Sequence, residues 1–209
     1  MNEIKQGSDE WKQLRLGRVT ASRVADVIAK TKSGYSASRD NYMAQLICER
    51  LTGTVAESYT NAAMAHGVET EPLARAAYES YADVLVDEVA FVAHPTIEMA
   101  GASPDGLVGN DGLLEIKAPQ TNTHIDTLLS NQVPTKYITQ MQWQMVCTKR
   151  AWCDFVSFDP RLPNGLQMFV KRVEFDTEYA ATLEVEVTKF LAELDAKIFK
   201  LNERLNHVN

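Results

Sequence analysis

The sequence predicts an α/β domain: a small mixed β-sheet flanked by helices, in a single domain over residues 1–209. Three observations carry this. Helical periodicity fills roughly the first eighty residues and the last thirty. Alternating, β-branched segments fill the middle. Two helical segments then separate the last two strands from the earlier ones. At 45% hydrophobic and 23% charged residues, the chain is globular in composition, with enough apolar material for one sizeable core.

The elements follow in order. "SDEWKQLRLG" has Ser8 as N-cap and Gly17 as stop. "TASRVADVIAK" places Val24, Val27 and Ile28 on one helical face, with Thr20 or Ser22 as cap. In "SASRDNYMAQLICERLTG", Tyr42, Leu46 and Ile47 recur at helical spacing and Gly53 ends the helix. The alanine-rich stretch "TNAAMAHGVETEPLARAAYESYAD" is helical, with interruptions at Gly67 and Pro72. "VLVDEVAFVAHP" alternates and predicts a strand. "IEMAGASPDGLV" and "LLEIKAP" predict two more, joined by the turn "GNDG". "NTHIDTLLS" and "TKYITQMQWQMVCTK" are helices. "AWCDFVSFD" and "LQMFVKRVEF" are strands separated by "PRLPNG". From Asp176 a long helix runs to about Leu205, with Leu183, Val187, Phe190, Leu191, Leu194 and Ile198 as its apolar stripe.

Charge and cysteine usage narrow the function. The net charge of −7 argues against a nucleic-acid partner, but residues 1–50 balance at +3 and residues 51–209 at −10. Basic residues lining one groove can bind DNA on an acidic protein, and acidic residues that hold a cation add to the negative count. No apolar run is long enough to span a membrane. The polar N-terminus lacks the apolar region of a secretory signal, which suits a cytoplasmic protein. Cys48, Cys147 and Cys153 show no metal-ligand spacing and are expected as reduced thiols in apolar surroundings.

Chemistry concentrates in "GASPDGLVGNDGLLEIKAP", residues 101–119. Along a strand Glu115 and Lys117 share one face, and Leu114 and Ile116 share the other. Asp105 lies beside the bend at Pro104 and Gly106, where a hairpin can bring it across from Glu115. Two carboxylates so close repel, and one takes up a proton at a cost of several kcal/mol unless a cation neutralises them. Hard oxygen ligands in a partly open site suit Mg²⁺ or Mn²⁺. Lys117 can then orient a water or hold an anionic oxygen, so the expected substrate is a phosphodiester. The same three residues would also suit a surface hairpin whose Glu–Lys pair faces water. Glu71, four residues after Gly67, where a small residue allows close helix–sheet approach, can supply a third carboxylate, and Gln140 and Gln142 follow Tyr137 on the helix expected beside Lys117.

The spacing Asp–x₉–Glu–x–Lys in "SPDGLV…LLEIK" resembles the PD-(D/E)XK nuclease motif. With "WKQLRLGRVTASRVADVIAK", "HGVETEPLARAAYE", "YITQMQWQM" and "AWCDFVSFDPRL" in this order, the chain resembles the YqaJ-type viral recombinase family, the group of phage λ exonuclease. The resemblance runs from about Trp11 to the final helix. It implies a restriction-endonuclease-like core and an Mg²⁺-dependent 5′→3′ exonuclease on double-stranded DNA. Such an enzyme leaves a 3′ overhang for recombination by single-strand annealing, in a bacterial host under phage or prophage control. It further implies a ring-shaped homotrimer and a single-strand annealing recombinase as partner. By resemblance, Glu71, Asp105, Glu115 and the backbone carbonyl of Ile116 would hold two Mg²⁺ ions, with Mn²⁺ also serving. Lys117 would position the nucleophilic water, with Gln140 and Tyr137 in support. Arg15, Ser22 and Ser103 match the positions that hold the 5′-terminal phosphate. Met64 matches an apolar wedge between the strands, and Lys32 a basic contact to the duplex. His66 stands where the family's type enzyme carries an aromatic and is left out of the metal set. The loop around residues 31–40 is reduced. The rival readings are a structure-specific endonuclease of the same fold and a non-catalytic subunit that binds DNA ends.

Overall fold

The computed structural model describes residues 4–56 and 62–208. In chain order the elements are α1 (Asp9–Arg15), β1 (Val19–Thr20), a 3₁₀ turn (Ala21–Arg23), α2 (Val24–Ile28), β2 (Lys30–Thr31), β3 (Gly34–Tyr35) and α3 (Ala37–Thr52). The helix α4 (Ala62–Ala82) and the short strands β4 (Val86–Asp87), β5 (Val92–Ala93), β6 (Ala100–Ala102) and β7 (Gly106–Val108) follow. The chain continues through β8 (Gly112–Lys117), α5 (Thr121–Ser130), α6 (Thr135–Thr148), β9 (Trp152–Phe158), a 3₁₀ turn (Asn164–Leu166), β10 (Met168–Glu174) and α7 (Thr177–Val208).

A five-stranded sheet of order β10-β9-β8-β7-β4 forms the centre, and a three-stranded sheet of order β1-β6-β5 stands beside it. In the larger sheet β8 and β9 are parallel, in register from Gly112↔Trp152 to Lys117↔Ser157, and every other pairing is antiparallel. A parallel neighbour requires a crossover, and α5 and α6 supply it. Side chains of β8 alternate as the pleat dictates. Leu114 and Ile116 pack with Ala74 and Tyr78 of α4, while Leu113 packs with Met141 and Met145 of α6. The sheet is thus covered on both faces, and each large apolar side chain it buries contributes about 1.5–3 kcal/mol. A separate core joins α2, α3, α6 and α7 through Val24, Leu46, Trp143, Val187 and Phe190.

Local chemistry explains most element ends. The Ser8 hydroxyl accepts from Trp11 N–H at 3.2 Å, and Asp176 Oδ1 accepts from Tyr179 N–H at 2.9 Å at the start of α7. Gly53 closes α3 with φ +67°. In the β7–β8 turn Gly109 has φ +52°, and Arg150 Nη1 donates to Gly109 O and Gly112 O at 2.8 and 2.7 Å, tying the turn to the end of α6.

Several expectations are corrected. The predicted strand over 84–95 is two short ones, β4 and β5, which pair in different sheets with β7 and β6. The next predicted strand divides likewise into β6 and β7 at Ser103-Pro104-Asp105. Their hydrogen-bond partners are distant in sequence, so local alternation could not show the change of sheet. The helix α4 runs through both Gly67 and Pro72 without a break, its packing on the sheet outweighing the one backbone bond that proline removes. A Cβ at Gly67 would meet nothing within 4 Å, so that glycine serves no close helix–sheet approach. Neither Thr20 nor Ser22 caps a helix through its side chain. All three cysteines are free, but Cys48 is exposed rather than in apolar surroundings.

A buried polar contact fastens α4 to the sheet. Tyr78 Oη donates to Asp154 Oδ2 at 2.8 Å, and Arg172 pairs with both oxygens of Asp154 at 2.8 and 2.9 Å. Tyr78→Phe removes one donor from this buried carboxylate. It is expected to lower unfolding stability by about 1–3 kcal/mol, read as a lower urea midpoint at unchanged slope.

Candidate active site

The site grows from β8. Glu115 lies on the α6 side of the sheet and is wholly buried. An unpaired carboxylate there would be prohibitive, and the structure supplies donors. Gln140 Nε2 donates to Glu115 Oε1 at 2.6 Å, and Gln144 Nε2 donates to Oε2 at 2.6 Å. The two glutamines are one turn apart on α6 and so share a face. Lys117, two residues along the strand, presses its Nζ on Oε1.

Asp105 arrives from the neighbouring strand. Gly106 pairs with Leu114, which sets Asp105 opposite Glu115. A Cβ at Gly106 would overlap Val86, so glycine is what allows β4 to close against β7 at this point. Asp105 Oδ2 accepts from Ile116 N–H at 2.7 Å. Burial, and then the charges of Glu115 and Glu71, push the Asp105 carboxyl well above the usual carboxylate range against the opposing Lys117. Burial alone would lower Lys117, but the charges of Glu115 and Asp105 outweigh it, so the side chain stays an ammonium. Tyr137 stacks on Phe155 with centroids 5.4 Å apart, and its ring centroid lies 5.2 Å from Lys117 Nζ.

Glu71 approaches from α4. Burial raises its pKa, and Arg75 opposes that. Arg75 Nη2 meets Glu71 Oε1 at 2.6 Å, and Arg75 Nη1 meets Glu88 at 3.0 Å. Among the described residues no three acidic, histidine or cysteine side chains stand close enough together to grip an ion as placed. Arg75 and Lys117 occupy the carboxylates instead. The donor set nevertheless fits a hard divalent cation by its chemistry: Asp105 and Glu115 face one another, and burial has left Asp105 short of positive charge. Asp105 and Glu115 would hold such an ion, and Glu71 would join on release from Arg75.

A second cluster lies two residues before Asp105. Arg15 Nη1 and Trp11 Nε1 both donate to Ser103 Oγ at 3.0 Å, and the Arg15 guanidinium stacks over Trp11 at 4.3 Å. Ser103 accepts in both contacts, so its hydroxyl hydrogen is available to an incoming anion. Burial lowers the Arg15 pKa, with Tyr42 and Glu49 opposing, and at this distance from neutrality it remains a cation. The parallel β1–β6 pair ends at Thr20↔Gly101, so Ser22 and Ser103 leave the small sheet at the same end. Ser22 is exposed there. Two residues span at most about 7 Å of chain, which keeps Ser103 near Asp105.

The other expected site residues fall outside these clusters. Lys32 is exposed at the tip of the β2–β3 hairpin. The side chain of Met64 lies outside the described residues. His66 pairs through Nδ1 with Thr70 Oγ1 at 3.3 Å, a contact within α4. Gln142 belongs to the scaffold: it donates to Glu174 O at 2.8 Å and accepts from Asp176 N–H at 2.9 Å. The residues passed over in the sequence were Gln144, Arg75 and Trp11. Helical spacing from Gln140 was a usable signal for Gln144. The same spacing relates Arg75 to Glu71 and Trp11 to Arg15.

Comparison with known proteins identifies the relatives of the chain. The YqaJ-like viral recombinase domain matches residues 10–151. The alkaline exonuclease LHK-Exo from Laribacter hongkongensis is 52% identical, over 97% of this chain and 100% of its own, with a TM-score of 0.91. That enzyme has also been crystallised in complex with dAMP, and this second structure aligns equally well. A phage-related exonuclease from Haemophilus somnus 129PT shares the fold at 15% identity, over 91% of this chain and 99% of that one, with a TM-score of 0.73. No curated protein matches significantly. The mixed sheet flanked by helices is the nuclease fold of these neighbours.

Removing one of the facing carboxylates relieves repulsion while an amide oxygen still accepts from Ile116 N–H. In chelator, Asp105→Asn is expected to raise the melting temperature by about 2–4 °C, the equivalent of ~1 kcal/mol in a chain of this size, measured by calorimetry.

Proposed function

This chain belongs to the YqaJ-like viral recombinase family, and on that premise we propose that it is a divalent-metal-dependent 5′→3′ exonuclease. Its substrate is double-stranded DNA, from which it removes one strand and leaves a 3′ overhang for single-strand annealing. The coarser part, exonuclease, rests on its identity to an alkaline exonuclease along nearly the whole chain. The observation that carries the finer part is the pairing of Asp105 and Glu115 beside Lys117, two residues from a pocket built of Arg15 and Ser103.

The proposed division of labour follows from the chemistry of the side chains. Two Mg²⁺ or Mn²⁺ ions, when bound, would supply Lewis acidity to the scissile phosphate and to the attacking water. Glu71, Asp105, Glu115 and the Ile116 carbonyl are the proposed ligands. Lys117 orients the water and offers its ammonium to a phosphate oxygen. Gln140 keeps the Glu115 oxygen in place and Tyr137 walls the ammonium on its apolar side. The guanidinium of Arg15 and the hydroxyls of Ser103 and Ser22 take the 5′-terminal phosphate, a charge-assisted contact that sets direction. Lys32 reaches the duplex from its hairpin, and Met64 wedges the strands.

The proposed assembly is a homotrimeric ring around DNA, acting with a single-strand annealing recombinase in the cytoplasm. Support for the ring and the partner comes from the family alone. No described helix is long and apolar enough to cross a membrane.

The decisive experiment offers a linear duplex with one labelled 5′-phosphate end, with and without Mg²⁺, beside a covalently closed circle. Label should be released from the linear duplex only with metal, and the circle should survive. Cutting of the circle would instead support an endonuclease. Lys117→Ala should lower the rate at least about 100-fold while DNA binding persists. Arg15→Ala should slow 5′-phosphorylated ends about 10- to 100-fold more than 5′-hydroxyl ends, the worth of ~1.5–3 kcal/mol for a charged hydrogen bond; equal slowing would remove the pocket from the mechanism.

A further inference from the structure

Gln144 is fully buried on α6 between Met141 and Met145, residues of the apolar core beneath the sheet. Its Nε2 donates to Glu115 Oε2 at 2.6 Å, whereas its own Oε1 is buried without a hydrogen-bonding partner among the described residues. A buried acceptor left unsatisfied costs about 1–3 kcal/mol. Leucine or methionine would fill the same space without that cost. The side chain is therefore ill suited to packing, and its contribution lies in what the amide N–H does to Glu115.

Gln140, one turn earlier, donates to the other oxygen, Oε1. One donor fixes one oxygen but leaves the carboxylate plane free to turn about its terminal torsion, which is broad and nearly two-fold. Two donors from a single helix, one on each oxygen, fix the plane. Lys117 shares Oε1 with Gln140, so among the described contacts Oε2 depends on Gln144. An amide is also neutral. It orients the carboxylate without cancelling the charge that a cation needs, as an arginine or lysine there would.

We propose that Gln144 is a positioning residue, the second arm of an amide clamp that sets the plane of the Glu115 carboxylate and hence the lone pairs it offers to a divalent cation. The proposal rests on the metal-dependent reading above. Partners of this kind typically alter metal affinity or activity by about 10- to 100-fold.

The test uses the full chain with Gln144→Leu and Gln144→Met. Calorimetric titration with Mn²⁺ and Mg²⁺ should give dissociation constants about 10- to 100-fold weaker in the variants than in the parent. The Mg²⁺ concentration for half-maximal digestion of a linear duplex should rise by the same factor, with KM for DNA unchanged. In chelator the variants lose the unpartnered carbonyl but also leave Glu115 Oε2 without its donor, so they should stay folded and melt about 2–10 °C below the parent. Parental metal affinity in the variants would overturn the clamp. Loss of the fold in both would also overturn it, by making Gln144 a packing residue. If the parent binds metal but leaves DNA intact, the functional reading fails, and the clamp is still judged on the dissociation constants. A parent that takes up neither metal overturns both.

Discussion

A carboxylate wholly buried in the middle of a β-sheet must be surrounded by donors, and the architecture around Glu115 answers that requirement. The residue sits on β8, with strands on either side and helices on both faces. Two glutamine amides and one ammonium reach its two oxygens. Asp105, opposite, accepts a backbone N–H and shares the charge of Lys117 with Glu115. The site is thus satisfied on one side and short of positive charge on the other. Under the proposed function, a divalent cation would complete the cluster.

The topology delivers these donors. Because β8 and β9 run parallel, the chain must cross over between them, and the second helix of the crossover is α6, which carries both glutamines across the face that Glu115 occupies. On the opposite face, α4 brings Glu71 and Arg75 to the same neighbourhood while Tyr78 anchors the helix to Asp154. Arg150 ties the β7–β8 turn to the end of α6, so the hairpin that brings Asp105 to Glu115 is braced from the same helix that holds Glu115. Glu115, Gln140 and Gln144 thus lie on a central strand and its covering helix, and Asp105 lies in the bend just before β7.

The smaller sheet has a different task. Its parallel β1–β6 pair lays the N-terminal helix beside Ser103, and Trp11 and Arg15 then converge on one hydroxyl. Pro104 alone separates Ser103 from Asp105. Under the proposed function, the end of the DNA strand and the bond to be cut would therefore be registered against each other by a single short stretch of backbone. Direction and chemistry would not be set by separate loops that can move independently.

The sequence by itself determined whatever depends on neighbours within a turn or a pleat. Ser8 and Asp176 as helix starts, Gly53 as a helix end, the stripe of α7 and the Gly109–Gly112 turn could be read locally, and so could the shared face of Glu115 and Lys117. Only the tertiary structure decided the rest. It split two apparent strands between two sheets, because Val86 and Val92 find partners at Val108 and Ala102 rather than in each other's sheet. It carried α4 through Pro72, chose Gln144 over Gln142, and set Arg75 between Glu71 and Glu88. Apart from the Arg75–Glu71 pair, which is one helical turn, these turn on contacts between residues far apart along the chain. Helical and strand periodicities report which side a residue faces, but the identity of what lies on that side is fixed only when the layers pack.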